Sequence, residues 1–460
     1  MAKSNSLHIV MYPFFAIGHM TSFLHLANKL AQRGQRISFI LPPKAESKLS
    51  HFNLHPELIT FIPITFPHVD GLPHGAQTTA DVSRHSGSLI ATAMDLTKPE
   101  IEAKLHQLKP HFVFFDFAYW IPELTRPLNI KSVHFCTMNA ASAAYLCVPR
   151  RENEKQDSES ELSLLQQQPN GFPPSTIKLK KYEASFMNYI GKLEFGNGIT
   201  FGGRTEKSFS GCDAIAFKSC RKMEGQFCDY FHRELGKRVL LTGPGLPGQP
   251  NDSLEDRWVK WLGKFSKQSV IYVSFGSECQ LMVDQFQELL LGIEMTGCPF
   301  LIALKTPLGY EKMEDALPEG FQERVGERGV VCDEWMQQQL LLAHLSIGCF
   351  VTHCGSGSLS EALVSECQIV LLPNSGDQYI NARLMGGDLK VGVEVEKRDE
   401  DGWYTKENVC EAVSLVMNEE SRVGREVRAN HAKWREFMLK EGLESSYIEE
   451  FVKTLHGILV

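Results

Sequence analysis

Residues 335–378, WMQQQLLLAHLSIGCFVTHCGSGSLSEALVSECQIVLLPNSGDQ, decide the fold of this chain. Within them, GCFVTHC (348–354) predicts a buried strand, and a Gly-Ser-Gly-Ser turn leads from it into a predicted helix, SLSEALVS (358–365). QIVLLP (368–373) predicts the next strand. Short strands that are apolar on both faces and alternate with helices are typical of a parallel sheet covered on both sides.

The same alternation extends from this stretch toward both ends of the chain. GPGLPGQPND (243–252) interrupts it with three prolines and three glycines, which is typical of a linker between domains. The sequence therefore predicts an α/β fold with two facing Rossmann-like doubly wound domains, over 1–242 and 254–435, joined by a linker at 243–253. The polar segment 152–174 predicts an exposed loop. Further strands are predicted at 7–15, 37–42, 111–117, 132–136, 269–277, 299–305 and 329–332, and helices at 22–34, 87–108, 283–297 and 379–387.

Length and composition limit the possible functions. A chain of 460 residues exceeds the size of one hydrophobic core, and 43% hydrophobic with 22% charged residues is ordinary for a globular protein. The formal net charge of −8 argues against nucleic acid or an anionic membrane as partner. The N-terminal segment lacks the pattern of a secretory signal, no apolar run reaches the ~18 residues of a membrane helix, and the 12 cysteines form no CxxC pair. We therefore expect a cytoplasmic protein with reduced thiols and no membrane insertion.

Two strand-to-loop junctions predict a site for a phosphate-bearing ligand. Free backbone N–H groups at a glycine-rich turn and the positive end of a helix dipole both favour an anion. Because the carboxyl ends of parallel strands meet at one edge of a sheet, the two loops are expected to converge. Ser358 with Glu361 also fits an S-x-x-E capping box, which would be a purely structural role. The candidate donors are His353, Gly355, Gly357 and Ser358 at the first junction, and Gly276 and Ser277 at the second.

A candidate base and its orienting group follow two strands of the N-terminal half. Ala-Ile-Gly-His (16–19) comes between the first predicted strand and the first helix, so His19 lies at the carboxyl end of a strand. An acceptor hydroxyl needs a base to remove its proton, and an imidazole suits this task near neutral pH. Asp116, within the apolar run FVFFDF (112–117), needs a partner there and could orient the imidazole. In the alternative, His19 caps its helix and Asp116 binds backbone donors.

With these motifs, the sequence resembles the plant UDP-dependent glycosyltransferases of family one. Residues 335–378 match the donor-binding signature of that family from Trp335 to Asp377-Gln378, and the Gly-His and FFDF motifs belong to the same resemblance. The resemblance implies a metal-independent, inverting enzyme of GT-B architecture, with a UDP-sugar as co-substrate and no other cofactor. His19 and Asp116 would be its catalytic pair. It also implies a C-terminal helix over 436–460 that packs back on the N-terminal domain.

The resemblance further implies a contact for each donor-site residue. The C-terminal domain (the donor half) would bind the UDP-sugar, and the N-terminal domain (the acceptor half) would bind the acceptor. The implied contacts are Trp335 stacked on uracil, the main chain of Met336 at the base edge, Gln338 and Glu361 at the ribose, Ser277, His353 and Ser358 at the diphosphate beside Gly276, Gly355 and Gly357, and Asp377 and Gln378 at the transferred sugar.

Two positions depart from the family pattern. Ser356-Gly357 stands where the family usually has Trp-Asn, so space opens beside the donor sugar. Met336-Gln337 replaces the usual Ala-Pro, which is neutral for a contact made by the backbone. The expected donor is UDP-glucose, with UDP-xylose and UDP-rhamnose as alternatives. Within the family, VFFDFAYW, SECQIVLLP and GDQ resemble the branch that adds a sugar to an existing sugar on flavonoid, anthocyanin or related phenolic glycosides. That resemblance implies an acceptor hydroxyl on the sugar of a small phenolic glycoside of flavonoid, anthocyanin or phenylethanoid type, with an aglycone as the alternative.

Two rival functions belong to other classes. A nucleotide-dependent oxidoreductase shares the architecture, but no GxGxxG with a later acidic residue follows the first strand. A non-catalytic UDP-sugar-binding protein would have lost the base or its carboxylate, and both are present. Asp-Glu-Asp (399–401) spells a metal motif but lies in a charged stretch that predicts a solvated turn, so we expect no metal site. We expect a monomer.

Overall fold

The computed structural model describes residues 6–83, 86–148, 158–246, 248, 253–276 and 279–459. Its strands are β1 (His8–Tyr12), β2 (Arg36–Leu41), β3 (Ile59–Pro63), β4 (Phe112–Phe115), β5 (Lys131–Cys136), β6 (Ala214–Phe217), β7 (Arg238–Leu241), β8 (Val270–Ser274), β9 (Phe300–Ala303), β10 (Gly329–Cys332), β11 (Ile347–Thr352), β12 (Gln368–Leu371) and β13 (Gly392–Glu394). They form two parallel sheets, one in the order β3-β2-β1-β4-β5-β6-β7 and one in the order β10-β9-β8-β11-β12-β13.

Helices cover both faces of each sheet. Alternate residues of β1 show this, because Val10 and Tyr12 pack into one apolar cluster while Ile9 and Met11 pack into another. The fold is therefore the predicted pair of doubly wound units. The helices are α1 (Ile17–Ala31), α2 (Pro43–Leu49), α3 (Gly87–Leu96), α4 (Lys98–Leu108), α5 (Ile121–Thr125), α6 (Ala140–Leu146), α7 (Ser158–Gln166), α8 (Lys181–Lys192), α9 (Phe201–Gly211), α10 (Arg221–Leu235), α11 (Asp256–Leu262), α12 (Val283–Met295), α13 (Phe321–Val325), α14 (Gln338–Leu342), α15 (Ser356–Val364), α16 (Gln378–Arg383), α17 (Lys406–Met417), α18 (Arg422–Met438) and α19 (Leu443–Leu459).

Each sheet has one point where the strand order reverses direction. In the first sheet this point lies between β1 and β4, and in the second it lies between β8 and β11. Tyr12 pairs with Phe115 across the first point, and Ser274 pairs with Thr352 across the second. In open α/β sheets, ligands bind in the crevice outside the carboxyl ends of the strands at such points. The loops after these four strands therefore position the site.

Polar contacts and the last helix join the two halves. Thr176, before α8, donates from Oγ1 to Asp388 of the second half at 2.7 Å, and Arg383 Nη2 of the second half donates to Glu183 in α8 at 2.7 Å. Helix α19, which follows the second half in sequence, packs its apolar face on the first sheet, with the rings of Phe451 and Phe114 6.0 Å apart.

Several elements differ from the sequence prediction. The helix predicted over 87–108 is two helices, α3 and α4, because the chain breaks at Thr97 and Pro99 starts the second one. The loop predicted over 152–174 contains α7. Strands β3, β6, β7 and β13 were not predicted, since their apolar runs are short. Among the described residues, no helix has both the length and the apolar composition that crossing a membrane requires.

Candidate active site

His19 and Asp116 come together at the carboxyl edge of the first sheet. Asp116 directly follows β4, and His19 is the third residue of α1, which follows β1. Because β1 and β4 are paired neighbours, these ends are adjacent, and His19 Nδ1 lies 2.6 Å from Asp116 Oδ2. The His19 side chain is 25% exposed, whereas that of Asp116 is 2% exposed. A buried carboxylate thus holds a ring that reaches the crevice.

Backbone donors fix the other carboxylate oxygen. The N–H groups of Phe14 and Phe117 each donate to Asp116 Oδ1 at 2.7 Å. Asp116 therefore binds backbone donors, as the alternative interpretation expects, and it binds His19 as well. A neighbouring ring, His134 on β5, stays neutral because burial lowers its pKa to about 4. No second imidazolium therefore competes with His19 for this carboxylate.

Aromatic side chains form a wall beside His19. The Phe117 ring lies 5.6 Å from the His19 ring, 4.9 Å from Phe14, 5.7 Å from Phe195 and 5.4 Å from Phe201. Phe14 is buried, and the other three phenyl rings are half-buried. Aromatic rings at such separations present their faces and edges to a flat ligand as readily as to one another. This aromatic wall gives the base an apolar neighbourhood.

Arg204 on α9 holds the aromatic wall in place. Its guanidinium donates to the carbonyl oxygens of Phe117 and Phe195, both at 3.0 Å, and to Asp95 Oδ1 at 2.9 Å. The Arg204 and Asp95 side chains are 0% and 3% exposed, so each charge is buried and compensated by the other. The carboxylate also accepts from Trp120 Nε1 at 2.9 Å.

On the second sheet, His353 lies between the two loops that the sequence predicts for a phosphate. A methyl group added to Gly276 would come within 3.1 Å of His353 Cε1, and one added to Gly355 within 2.6 Å of His353 Nε2. The ring therefore occupies space that both glycines leave open, and the loops after β8 and β11 do converge. Burial lowers the pKa of His353 to about 4, so the ring is neutral near pH ~7. Ser277, predicted in the same loop, lies outside the described residues.

The glycine-rich turn is shorter than predicted, because α15 already begins at Ser356, with Gly355 as its N-cap. Ser358 is therefore a helical residue of the first turn, and the capping box of Ser358 with Glu361 is wrong. Instead, Gln338 Nε2 donates to Ser358 Oγ at 3.2 Å and to Glu361 Oε2 at 2.6 Å. Burial is the main cause of the raised pKa of Glu361. Three predicted donor-site residues thus form one cluster at the start of α15.

The loop after β10 supplies an exposed aromatic surface near this cluster. Trp335 is 78% exposed, whereas Met336 is 6% exposed and packs into the core. The Met336 carbonyl accepts from Gln338 N at 2.8 Å, which fixes the turn between them. Gly357 is exposed as well, and a methyl group added there would meet no atom within 4 Å. A large planar side chain that is exposed to water, such as Trp335, can stack with a planar ligand.

Asp377 and Gln378 follow β12 and open α16. Asp377 Oδ2 accepts from Asn381 Nδ2 at 3.1 Å, and Gln378 Oε1 accepts from the N–H groups of Asn374 and Ser375 at 3.0 and 3.1 Å. Burial raises the pKa of Asp377, while the charge of His19 acts in the opposite direction. Asn381 also accepts from Asn139 of the first half, so the predicted sugar-contacting carboxylate lies where the two halves meet.

Some polar residues of the crevice escape sequence reasoning. Thr137, after β5, places Oγ1 3.3 Å from His19 Nδ1. Asn139 and Lys218 of the first half line a cavity with Ser356 of the second, and burial lowers the pKa of Lys218 to about 8. Each of the three residues of the first half follows a buried strand, and that position in the sequence is the signal that could have identified them.

Within the described ranges, no three His, Cys, Asp or Glu side chains group in a way that could hold a metal ion. The Asp-Glu-Asp string forms a turn, in which Asp401 pairs with Arg398 at 2.5 Å and accepts from Trp403 N at 3.0 Å. Asp399 accepts from Lys181 N at 3.2 Å. The Asp401 carboxylate thus serves the turn, and the Asp399 carboxylate contacts α8 of the first half.

Comparisons with known proteins agree with this architecture. Residues 239–426 match the family described as UDP-glucoronosyl and UDP-glucosyl transferase. The chain is 53% identical to the cyanidin 3-O-galactoside 2''-O-xylosyltransferase of Actinidia chinensis var. chinensis, over 99% of both chains. It is 50% identical to the anthocyanidin 3-O-glucoside 2''-O-glucosyltransferase of Ipomoea nil, over 100% of this chain and 99% of that one.

A solved structure shares the fold at much lower identity. The Glycyrrhiza uralensis UGT73P12 structure, complexed with glycyrrhetinic acid 3-O-monoglucuronide, superposes with a TM-score of 0.80 at 19% identity and covers 99% of this chain and 96% of its own. The two relatives named above are 53% and 50% identical to this chain along almost its whole length, and they show which family it belongs to. The chain is an enzyme of the UDP-glucoronosyl and UDP-glucosyl transferase family.

Proposed function

We propose that this glycosyltransferase moves a sugar from a UDP-sugar to a hydroxyl on the sugar of a flavonoid-type glycoside, with inversion at the anomeric carbon. The observation that carries the proposal is the His19–Asp116 pair at the carboxyl edge of the first sheet. Asp377, the proposed sugar contact, is held by Asn381, which bonds to Asn139 of the first half. Both relatives named above act, by their names, at a 2''-O position of a cyanidin or anthocyanidin 3-O-glycoside.

The base in this reaction is His19. When Nδ1–H donates to Asp116, the lone pair of the imidazole lies on Nε2, which can take the proton of the acceptor hydroxyl. The oxygen then attacks the anomeric carbon from the side opposite the leaving UDP, so one displacement inverts the configuration. Asp116 stays ionised and stabilises the imidazolium that forms. Its own position is held by the two backbone donors.

Departure of UDP needs stabilisation of the negative charge that develops on the diphosphate. The start of α15 offers backbone N–H groups and a helix dipole, and the neutral His353 ring adds an N–H donor between Gly276 and Gly355. We propose that these groups, with Ser277 and Ser358, act without a metal ion. Turnover that survives EDTA supports this, and turnover that EDTA abolishes and Mg²⁺ or Mn²⁺ restores contradicts it.

The donor sugar is proposed to be glucose, with xylose as the second candidate. Asp377 and Gln378 can bind equatorial hydroxyls on a glucose-type ring, but xylose carries the same hydroxyls and lacks only the exocyclic CH₂OH. This pair therefore cannot separate the two sugars. The open corner at Ser356, which lines the cavity between the halves, is where the exocyclic group can decide the choice. The relatives support both, since one is a xylosyltransferase and one a glucosyltransferase.

The aromatic wall supports a phenolic acceptor. Phe117, Phe195 and Phe201 are half-buried beside the base, and they offer a flat apolar surface to an aglycone ring system. A glycoside bound there would present its sugar hydroxyl to His19, because the imidazole borders the same wall.

A donor-by-acceptor matrix tests the proposal. UDP-glucose, UDP-xylose and UDP-rhamnose are each offered with a flavonol, its 3-O-monoglycoside and its 3-O-diglycoside, and the products are read by mass and by NMR of the anomeric proton. The proposal expects the monoglycoside to have a higher kcat/KM than its aglycone, with an inverted new linkage. A preference for the aglycone contradicts the acceptor assignment, and retention of configuration contradicts the mechanism.

A further inference from the structure

Asn381, on α16, is a buried amide that bonds to both halves of the molecule. Its side chain is 0% exposed. Its Nδ2 donates to Asp377 Oδ2 at 3.1 Å and to the Cys354 carbonyl at 2.9 Å, both in the second half. Its Oδ1 accepts from Asn139 Nδ2 at 2.5 Å and from Ser142 Oγ at 3.3 Å, both in the first half. The amide thus has partners for both of its polar atoms.

The neighbours fix which way each amide points. Ser142 N can only donate, and it lies 2.7 Å from the Asn139 atom that must therefore be Oδ1. The remaining Asn139 atom, Nδ2, faces Asn381, so the facing Asn381 atom is Oδ1. Asn381 Nδ2 then points at two groups that can only accept, a carbonyl and a carboxylate. The result is one directed chain of hydrogen bonds from the start of α6 to Asp377.

The end of this chain lies at the donor site. Asp377 is the carboxylate that the proposed function assigns to the sugar hydroxyls, and the Asn381 N–H donor orients it. The second bond of Asn381 Nδ2, to the Cys354 carbonyl, holds the amide in place. Because Asn139 and Ser142 belong to the other half, the orientation of Asn381 depends on contact between the halves.

We propose that Asn381 is a positioning residue that orients the Asp377 carboxylate toward the donor sugar only when the acceptor-side helix α6 is in place. This inference rests on the proposed function, because it takes Asp377 as a sugar contact. Asn381 itself contacts no substrate. Asn381 acts by aligning the Asp377 carboxylate. Its hydrogen bonds connect Asn139, at the start of α6, to that carboxylate.

Substitution of Asn381 tests the proposal most directly. Asn381→Ala should lower kcat/KM for sugar transfer about tenfold, the scale of a hydrogen bond to a charged group, while the Kd of UDP alone stays unchanged. In an Asp377→Ala background the same change should have little further effect, because both variants remove one function. Losses that multiply in the double variant, or a loss of UDP affinity that matches the loss of turnover, overturn the proposal.

A second variant lies in the other half and leaves the donor site intact. Asn139→Ser keeps a side-chain oxygen that can cap α6 but removes the amide that donates to Asn381. It should lower kcat/KM about threefold with an unchanged melting temperature. Ser421→Asn, the reverse exchange at the N-cap of α18, is the matched control and should leave kcat/KM unchanged. An Asn139→Ser enzyme with full activity contradicts the dependence on α6.

Asn381→Asp tests the proposal through the pH dependence of kcat/KM, which would not change if Asn381 had a purely structural role. A carboxylate in place of the amide faces Asp377, and like charges at this distance raise the pKa of the pair. The acid limb of the kcat/KM profile should therefore move to higher pH, and an unmoved limb contradicts the proposal. Asp377→Ala distinguishes failure of the proposed function from failure of this inference. If Asp377→Ala leaves turnover unchanged, Asp377 is not the sugar contact that the proposed function assumes. If Asp377→Ala lowers turnover and Asn381→Ala lowers it independently, only the positioning role of Asn381 is wrong.

Discussion

One histidine in each half lies beside the point where the strand order of its sheet reverses, and the two histidines have opposite surroundings. His19 follows β1 and His353 follows β11, each at the point where its sheet reverses direction. Asp116 follows β4, the strand beside β1, and its carboxylate lies 2.6 Å from His19. Gly276 lies in the loop after β8, the strand beside β11, and it leaves room for the His353 ring without giving it a charged partner. The residue that the neighbouring loop supplies thus separates the two environments.

This difference matches what each half has to do. A base must accept a proton during the reaction, and a carboxylate at its other nitrogen stabilises the charge that it gains. A phosphate ligand needs an N–H donor, and burial keeps His353 neutral, with a pKa lowered to about 4. In the mechanism that we propose, a histidine beside the reversal point therefore serves acid–base chemistry in one half and anion binding in the other.

Removal of His19 should have the largest effect. His19→Ala should lower kcat by at least ~100-fold, the usual contribution of a general base, while the Kd of UDP measured by calorimetry stays unchanged. His25→Gln, on the same helix α1, is the matched control, because that ring lies outside the pair with Asp116. If the His19 variant keeps most of its turnover, the ring is not the base, and the two histidines do not differ in the way we infer.

Removal of the charge beside His19 should have the next largest effect. Asp116→Asn keeps an oxygen for the N–H groups of Phe14 and Phe117 but no longer stabilises the imidazolium. We expect kcat to fall between about 10-fold and 100-fold, less than in His19→Ala, because the ring remains. Circular dichroism and the melting temperature check that the strand end is intact. A variant as active as wild type would show that the carboxylate serves only the backbone.

The donor half should respond more weakly to loss of a single contact. Asp377→Ala should reduce turnover with UDP-glucose more than tenfold, about 1.4 kcal/mol or one good hydrogen bond, without weakening UDP itself. The effect on UDP-rhamnose should be smaller, because its ring presents the hydroxyls differently. The measurement is kcat/KM for both donors in wild type and variant. Faster wild-type turnover of UDP-xylose or UDP-rhamnose than of UDP-glucose would assign donor choice to the Ser356 corner.

The sequence predicts those site residues whose position depends on a single strand and the loop that follows it. His19, Asp116, His353 and the glycines each follow an apolar run, and that pattern is visible in the chain. The order of strands within a sheet is not visible there, although it brings β4 beside β1. The fold of each half can therefore be predicted from the sequence. The contact between His19 and Asp116 cannot, because it depends on which strands become neighbours when the sheet packs.

Contacts between distant segments were out of reach of the sequence. The capping box at Ser358 failed because α15 starts two residues earlier, with Gly355 in the extended conformation that an N-cap needs. Asn381 lies 242 residues from its partner Asn139, and no local pattern joins them. Short apolar runs such as Ala214–Phe217 become strands only because β5 and β7 pair with them on either side.

The smallest expected effect is on stability in acid, and it tests the environment of His353 directly. An unfolded histidine has a pKa near ~6.5, and burial lowers that of His353 to about 4. Above pH ~6.5 both states are neutral and the contribution to stability is full. As the pH falls from ~6.5 toward ~4, the unfolded chain binds a proton that the folded ring does not, so stability is lost over this window.

Wild type should therefore lose more unfolding free energy than His353→Gln between about pH 7 and about pH 5, by on the order of 1 kcal/mol for a half-buried ring. Urea unfolding of the ligand-free proteins at both pH values measures it, with His68→Gln as the solvent-exposed control. Equal losses in wild type and His353→Gln would show that the donor-half histidine is not held neutral by burial, and the contrast with His19 would then rest on Asp116 alone.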